Sequence, residues 1–176
     1  MPKVEREIND ALKAVALTRR YFQAEEPKRR ELDLQLWRML KQGSAILRAE
    51  MAEHLVRRPN GPPITLRALA CDPEPEVALP VLRLSDAISD AALAEIARCK
   101  SEDHQIAIAA RPHINSRVAA VVARRGSPRV LETLARNPAA EIDDARVEQI
   151  RRRLRRPRVL RSAKPLGDGL QAAQLH

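Results

Sequence analysis

The chain has 176 residues, enough for one domain with a buried core and a short appendage, and 44 % of them are apolar while only 2 % are aromatic. The three aromatics are Tyr21, Phe22 and Trp37, so the core is built from Ala, Leu, Val and Ile, which suits closely packed helices better than a β-sandwich, a fold that favours aromatic and β-branched residues. The formal charge is +9 and the cysteines number two; with no disulfide framework, no leader-like N-terminus and no membrane-length apolar run, a soluble cytoplasmic protein is expected.

Residues 3–24 read as a helix, with Val4, Ile8, Leu12, Val15 and Phe22 at helical spacing. Pro27 opens a second helix through Leu32, Leu36, Trp37 and Leu40 that stops near Gly43. From about residue 44 the chain is periodic. Four segments end alike, at Arg58, Leu84, Arg111 and Asn137, spaced 26, 27 and 26 residues apart, and a fixed period in this range marks a repeat array.

Each repeat holds two short helical patterns. The first helices are expected over 44–57, 74–84, 101–111 and 127–136, and the second over 63–71, 89–99, 114–125 and 143–154. Ser89, Asn115 and Asp143 are start signals, and Pro59, Pro112 and Pro138 follow first helices that they prevent from continuing. Pro80, inside a first helix, is expected to kink or tighten it. Helices this short draw their stability from their neighbours.

Residues 157–176 are expected to be a disordered tail. Residues 145–164 hold nine basic side chains against one acid, Glu148, and Asp168 is the only charge beyond them. The first 144 residues thus carry only +2 of the +9, and the basicity is C-terminal.

The segments Ala49–Leu55, Glu76–Arg83, Ile88–Asp90, Leu93–Ile96, His104–Pro112 and Arg136–Ala140 together resemble a bacterial family of unknown function built from HEAT-like helical repeats. That family is similar in turn to the leucine-rich repeat variant proteins. The resemblance covers about residues 40–154 and implies an all-α fold: a right-handed α-solenoid of short HEAT-like helix pairs with an N-terminal helical cap. The expected organisation is a cap over 1–43, repeats over 44–154 and a basic tail over 155–176. The family supplies no catalytic residues. Some leucine-rich repeat variant proteins carry a cysteine-ligated iron–sulfur cluster, but this chain has no cysteine cluster to inherit it.

Several residues are candidates for chemistry. Cys71, Cys99 and His104 could meet if neighbouring repeats converge, but paired ligands at zinc spacing are absent and buried free cysteine is common. Glu102, Asp103 and His104 adjoin in sequence, yet neighbours on a helix point apart, and acids at a helix start are explained by its dipole. No phosphate loop or nucleophile motif occurs. No enzyme, cofactor or metal is therefore expected.

The expected function is a non-enzymatic scaffold that binds a protein partner on the solenoid surface. Arg57, Arg83, Arg111 and Arg136 lie near the ends of first helices and form a candidate ladder for acidic groups. The alternative is nucleic-acid binding through the basic segment, using Arg151, Arg152, Arg153, Arg155, Arg156 and Arg158. The aromatic-free repeats argue against base stacking. The N-terminal helices are expected to cap the array, or to provide a homo-oligomer surface.

Overall fold

The computed structural model describes residues 2–155, which form ten α-helices and no strand; one isolated parallel bridge joins Ile114 to Ala140. In chain order these are α1 (Pro2–Gln23), α2 (Lys28–Gln42), α3 (Ala45–Val56), α4 (Pro63–Ala70), α5 (Pro75–Leu84), α6 (Asp90–Cys99), α7 (Glu102–Ala109), α8 (Ser116–Arg125), α9 (Pro128–Arg136) and α10 (Asp144–Arg155). The expected helices match these within about two residues at each end. The tail expected beyond Arg155 lies outside the described residues.

The start signals act as caps. The Ser44, Ser89 and Ser127 hydroxyls accept from the backbone N–H of Leu47, Ala92 and Val130, and Asn115 Oδ1 accepts from that of Val118. Asp143 Oδ1 accepts from the Arg146 N–H at 2.7 Å. Each satisfies one of the orphan donors of a helix start. α4 follows Pro62 and has no local side-chain cap; the buried Asp33 of α2 supplies one instead. Its carboxylate accepts from the N–H groups of Ile64 (2.8 Å) and Thr65 (2.9 Å) and from the Thr65 hydroxyl (2.7 Å). Pro80 does not break α5, which runs unbroken through it. Without an N–H, Pro80 leaves the Glu76 carbonyl short of its usual helical donor.

The helices pack in two rows. α3, α5, α7 and α9 pack one upon the next, as do α2 on α4, and α6, α8 and α10 in succession. α1 packs on α2 and α3. One apolar cluster runs between the rows, from Leu36 and Leu40 to Leu134 and Ile150. No residue of the buried cluster is aromatic. Small side chains dominate its middle, with Ala92, Ala94 and Ala97 on α6 and Ala119 and Ala123 on α8, which allows the rows to approach closely. The turn at Gly126 needs that closeness: a Cβ there would lie 2.7 Å from Val130 Cγ1 and 2.8 Å from the Val122 carbonyl oxygen.

α1 departs from the sequence expectation. It packs through Ala14, Thr18 and Tyr21, all at or below 3 % exposure. The Val4, Ile8, Leu12 and Val15 stripe that announced the helix faces away from the core.

Candidate functional site

Side chains join the end of α7 to that of α5 and the end of α9 to that of α7, and this decides what Arg111 does. Arg111 is only 6 % exposed. One terminal nitrogen donates to the Leu82 carbonyl oxygen and the other to the Ser85 carbonyl oxygen at 3.0 Å. These carbonyls lie at the C-terminal end of α5, where acceptors lack intrahelical partners. Burial lowers the Arg111 pKa from its usual value, while Asp86 and Asp90 act to raise it. Asn137 repeats the device one unit later, its Nδ2 donating to the carbonyl oxygens of Ala109 and Arg111, both at 2.8 Å. The near-constant period thus has a structural meaning at Arg111 and Asn137: both side chains close the previous helix end.

Arg111 therefore cannot belong to a surface ladder, which corrects the expectation. Arg57, Arg83 and Arg136 are exposed. Arg57 pairs with Glu53 at 3.3 Å and Arg136 with Glu132 at 3.6 Å, each one helical turn away. The first-helix row therefore presents partly neutralised charge at its ends.

The second-helix row is more cationic. Its C-terminal ends lie side by side, as three interactions show. Lys100, just after α6, donates to the Cys71 carbonyl oxygen just after α4 at 2.8 Å. The Ser127 hydroxyl, after α8, donates to the Glu102 carboxylate, after α6. Arg153 of α10 donates to the carbonyl oxygens of Ala123 (2.6 Å) and Gly126 (2.8 Å) at the end of α8. Along the edge so formed stand Arg98, Arg124, Arg125, Arg151, Arg152 and Arg155, all exposed. Of these, Arg152 pairs with Glu148 at 3.1 Å. α8 itself contains no acidic residue.

Arg153 is thus a cap, not a free cation of the basic segment; Arg152 pairs with Glu148, and Arg151 and Arg155 are exposed without an ion pair among the described residues. Arg156 and Arg158 lie outside the described residues. Arg98, Arg124 and Arg125 were not singled out by the sequence reading. Their signal was present: each lies in the last turn of a second helix, where cations also oppose the helix dipole.

The remaining candidates are built into the packing. His104 is 3 % exposed. Its Nε2 lies 3.1 Å from the Asp72 carbonyl oxygen and its Nδ1 2.7 Å from the Ser101 hydroxyl. A carbonyl can only accept, so Nε2 donates to Asp72, while Nδ1 shares a hydrogen bond with the Ser101 hydroxyl. Both nitrogens are committed. Cys71 is half-buried and Cys99 exposed. No group of three or more His, Cys, Asp or Glu side chains among the described residues is arranged to hold a metal ion. A groove of about 360 Å³ is lined by Trp37, Leu40, Lys41, Arg48, Leu69 and Cys71. Its guanidinium is already satisfied, since Arg48 bridges Asp72 (2.7 and 3.3 Å) and the Gly43 carbonyl (2.8 Å).

Among the described residues no helix is long and apolar enough to cross a membrane. No curated protein and no solved structure matches the chain. A family described as an uncharacterised protein conserved in bacteria, DUF2336, matches residues 77–166. That span takes in α5 to α10, and with it the Arg111 and Asn137 caps and the cationic edge. It is just over half of the chain, which therefore belongs to this bacterial family.

Proposed function

We propose that the chain is a right-handed α-solenoid of HEAT-like helix pairs, capped by its N-terminal helices, that acts in the cytoplasm as a non-enzymatic scaffold for a protein partner. The two packed rows and the inter-repeat caps support the solenoid reading, because nearest-neighbour contacts at a constant period are how such arrays hold together. The free thiols of Cys71 and Cys99 suit a reducing compartment. Both nitrogens of His104, and the Glu102 carboxylate that accepts from Ser127, are engaged in packing, which favours a structural over a catalytic role for them.

The observation that carries the binding reading is the edge of Arg98, Arg124, Arg125, Arg151, Arg152 and Arg155. An acidic segment of a partner protein fits it, since exposed guanidiniums bind carboxylates in forked pairs. The three exposed ladder residues, Arg57, Arg83 and Arg136, lie on the other row, where pairing of Arg57 with Glu53 and of Arg136 with Glu132 leaves less free charge for a partner.

A second reading is favoured by the C-terminal half of α10, which presents Arg151, Arg152 and Arg155, the sequence continuing with Arg156 and Arg158. Phosphate contacts from that segment would support nucleic-acid binding with a steep salt dependence. The aromatics Tyr21, Phe22 and Trp37 lie on α1 and α2, away from this edge, so stacking on bases is not supported there.

Affinity capture with nuclease treatment, comparing the wild-type chain with Arg124→Glu/Arg125→Glu, tests the choice. Recovery of a stoichiometric protein that the double variant loses is expected. Recovery unchanged by charge reversal, or abolished by nuclease, overturns the protein-scaffold reading.

A further inference from the structure

The helix α1 has two distinct faces, and only one of them packs against other described residues. Ala14, Thr18 and Tyr21 pack inward. Val4, Ile8, Leu12 and Val15 are 57, 56, 65 and 53 % exposed. Their spacings of four, four and three residues put them on a single face. A contiguous apolar stripe on a soluble surface marks an interaction site more often than a lone exposed residue does.

The charges on this face indicate what covers it. Glu5 and Arg19 are exposed at its two ends, each seven residues from Leu12, or about 10 Å along the helix. Neither enters an ion pair among the described residues. A stripe with an acid at one end and a base at the other is complementary to itself when turned through 180°.

We propose that this face binds a second copy of the chain, the two α1 helices crossing antiparallel on a two-fold axis beside Leu12. Ile8 of each copy then packs against Val15 of the other. Glu5 of each copy meets Arg19 of the other. A parallel arrangement would set Glu5 on Glu5 and Arg19 on Arg19, and like charges in register oppose association. The interface is isologous, the commonest closed symmetry. Four apolar side chains cover less than the roughly 800 Å² per partner of a standard stable interface, so the dimer is reversible and concentration-dependent. The self-association does not involve the cationic edge on α6, α8 and α10.

Sedimentation of the full chain at low salt, from about 1 to about 300 μM, tests this. The mass is expected to rise with concentration from 19.7 kDa toward twice that value. Leu12→Glu, at an exposed position, should hold the chain monomeric with an unchanged thermal melt. Glu5→Arg and Arg19→Glu should each weaken the dimer about tenfold or more, and the combined variant should restore it. A chain that stays monomeric throughout, a dimer indifferent to Leu12→Glu, or a charge swap that fails to rescue each overturns the proposal. Monomeric behaviour with partner capture intact would leave the scaffold reading standing while removing this one.

Discussion

Asn137 donates from Nδ2 to the carbonyl oxygen of Arg111 at 2.8 Å, across 26 residues of chain. Arg111 in turn donates to Leu82 and Ser85, at separations of 29 and 26 residues. The period of the sequence and the period of the hydrogen bonding coincide here. Arg111 and Asn137, which follow α7 and α9, each satisfy open carbonyls at the end of the preceding first helix. An array of short helices gains most from such bonds, because each helix alone is marginal.

Replacing Arg111 with Ala should destabilise the chain by about 2–4 kcal/mol, since it leaves the Leu82 and Ser85 carbonyls buried without donors. Arg111→Lys keeps the charge but not the planar fork, and should recover only part of the loss. Urea unfolding checks this through the midpoint at constant slope. An Arg111→Ala midpoint equal to wild type would show that the bonds are dispensable.

The sequence carried most of the fold for a physical reason. Ser89, Asn115 and Asp143 cap their helices, and prolines stop the first ones, so boundaries are local events. Faces are not local. In α1 the strongest helical period came from Val4, Ile8, Leu12 and Val15, yet the face that packs uses Ala14 and Thr18, whose small size suits a close approach but gives little hydrophobic signal. Its place at the end of a first helix sets Arg111 with Arg57, Arg83 and Arg136 as an expected surface cation. The intervals of 26 and 27 residues align it instead with Arg58 and Asn137, one position later. That offset was the available sign that it occupies a different place. The cationic edge escaped the reading because it depends on which helix ends become neighbours, and only the packing of α6, α8 and α10 shows this.

Stability should fall in alkaline solution through Tyr21. Its hydroxyl donates to the Asn60 carbonyl oxygen at 3.3 Å. Burial, with Asp33 and Glu26, raises its pKa above the usual 10.0, against an opposing effect of Arg29. The folded state then holds a proton that the unfolded chain releases. The contribution is fully present below pH 10 and is lost as pH rises through the folded-state value. Unfolding midpoints measured between about pH 8 and pH 11 should drop less steeply in Tyr21→Phe than in wild type; parallel profiles would remove Tyr21 from the effect.

The two thiols should differ in reactivity. Burial pushes the Cys71 thiol up, Glu95 adding to the rise and Lys100 and Arg67 opposing it. Cys99 is exposed. The thiolate is the reactive form, so a thiol reagent near neutral pH should label Cys99 first and Cys71 several-fold more slowly. Mass spectrometry of partly labelled protein reads the order. In denaturant the two rates should converge; equal rates in the folded protein would contradict the placement of Cys71.

Photo-crosslinking in the bacterium that makes the protein tests the scaffold reading most directly. A photoreactive residue in place of Arg125, on the cationic edge, should capture a protein in an adduct resistant to nuclease. The same residue in place of Arg83, on the other row, should capture it weakly or not at all. A nuclease-sensitive adduct at position 125, or capture at position 83 alone, would contradict the assignment of the second-helix edge as a protein-binding surface.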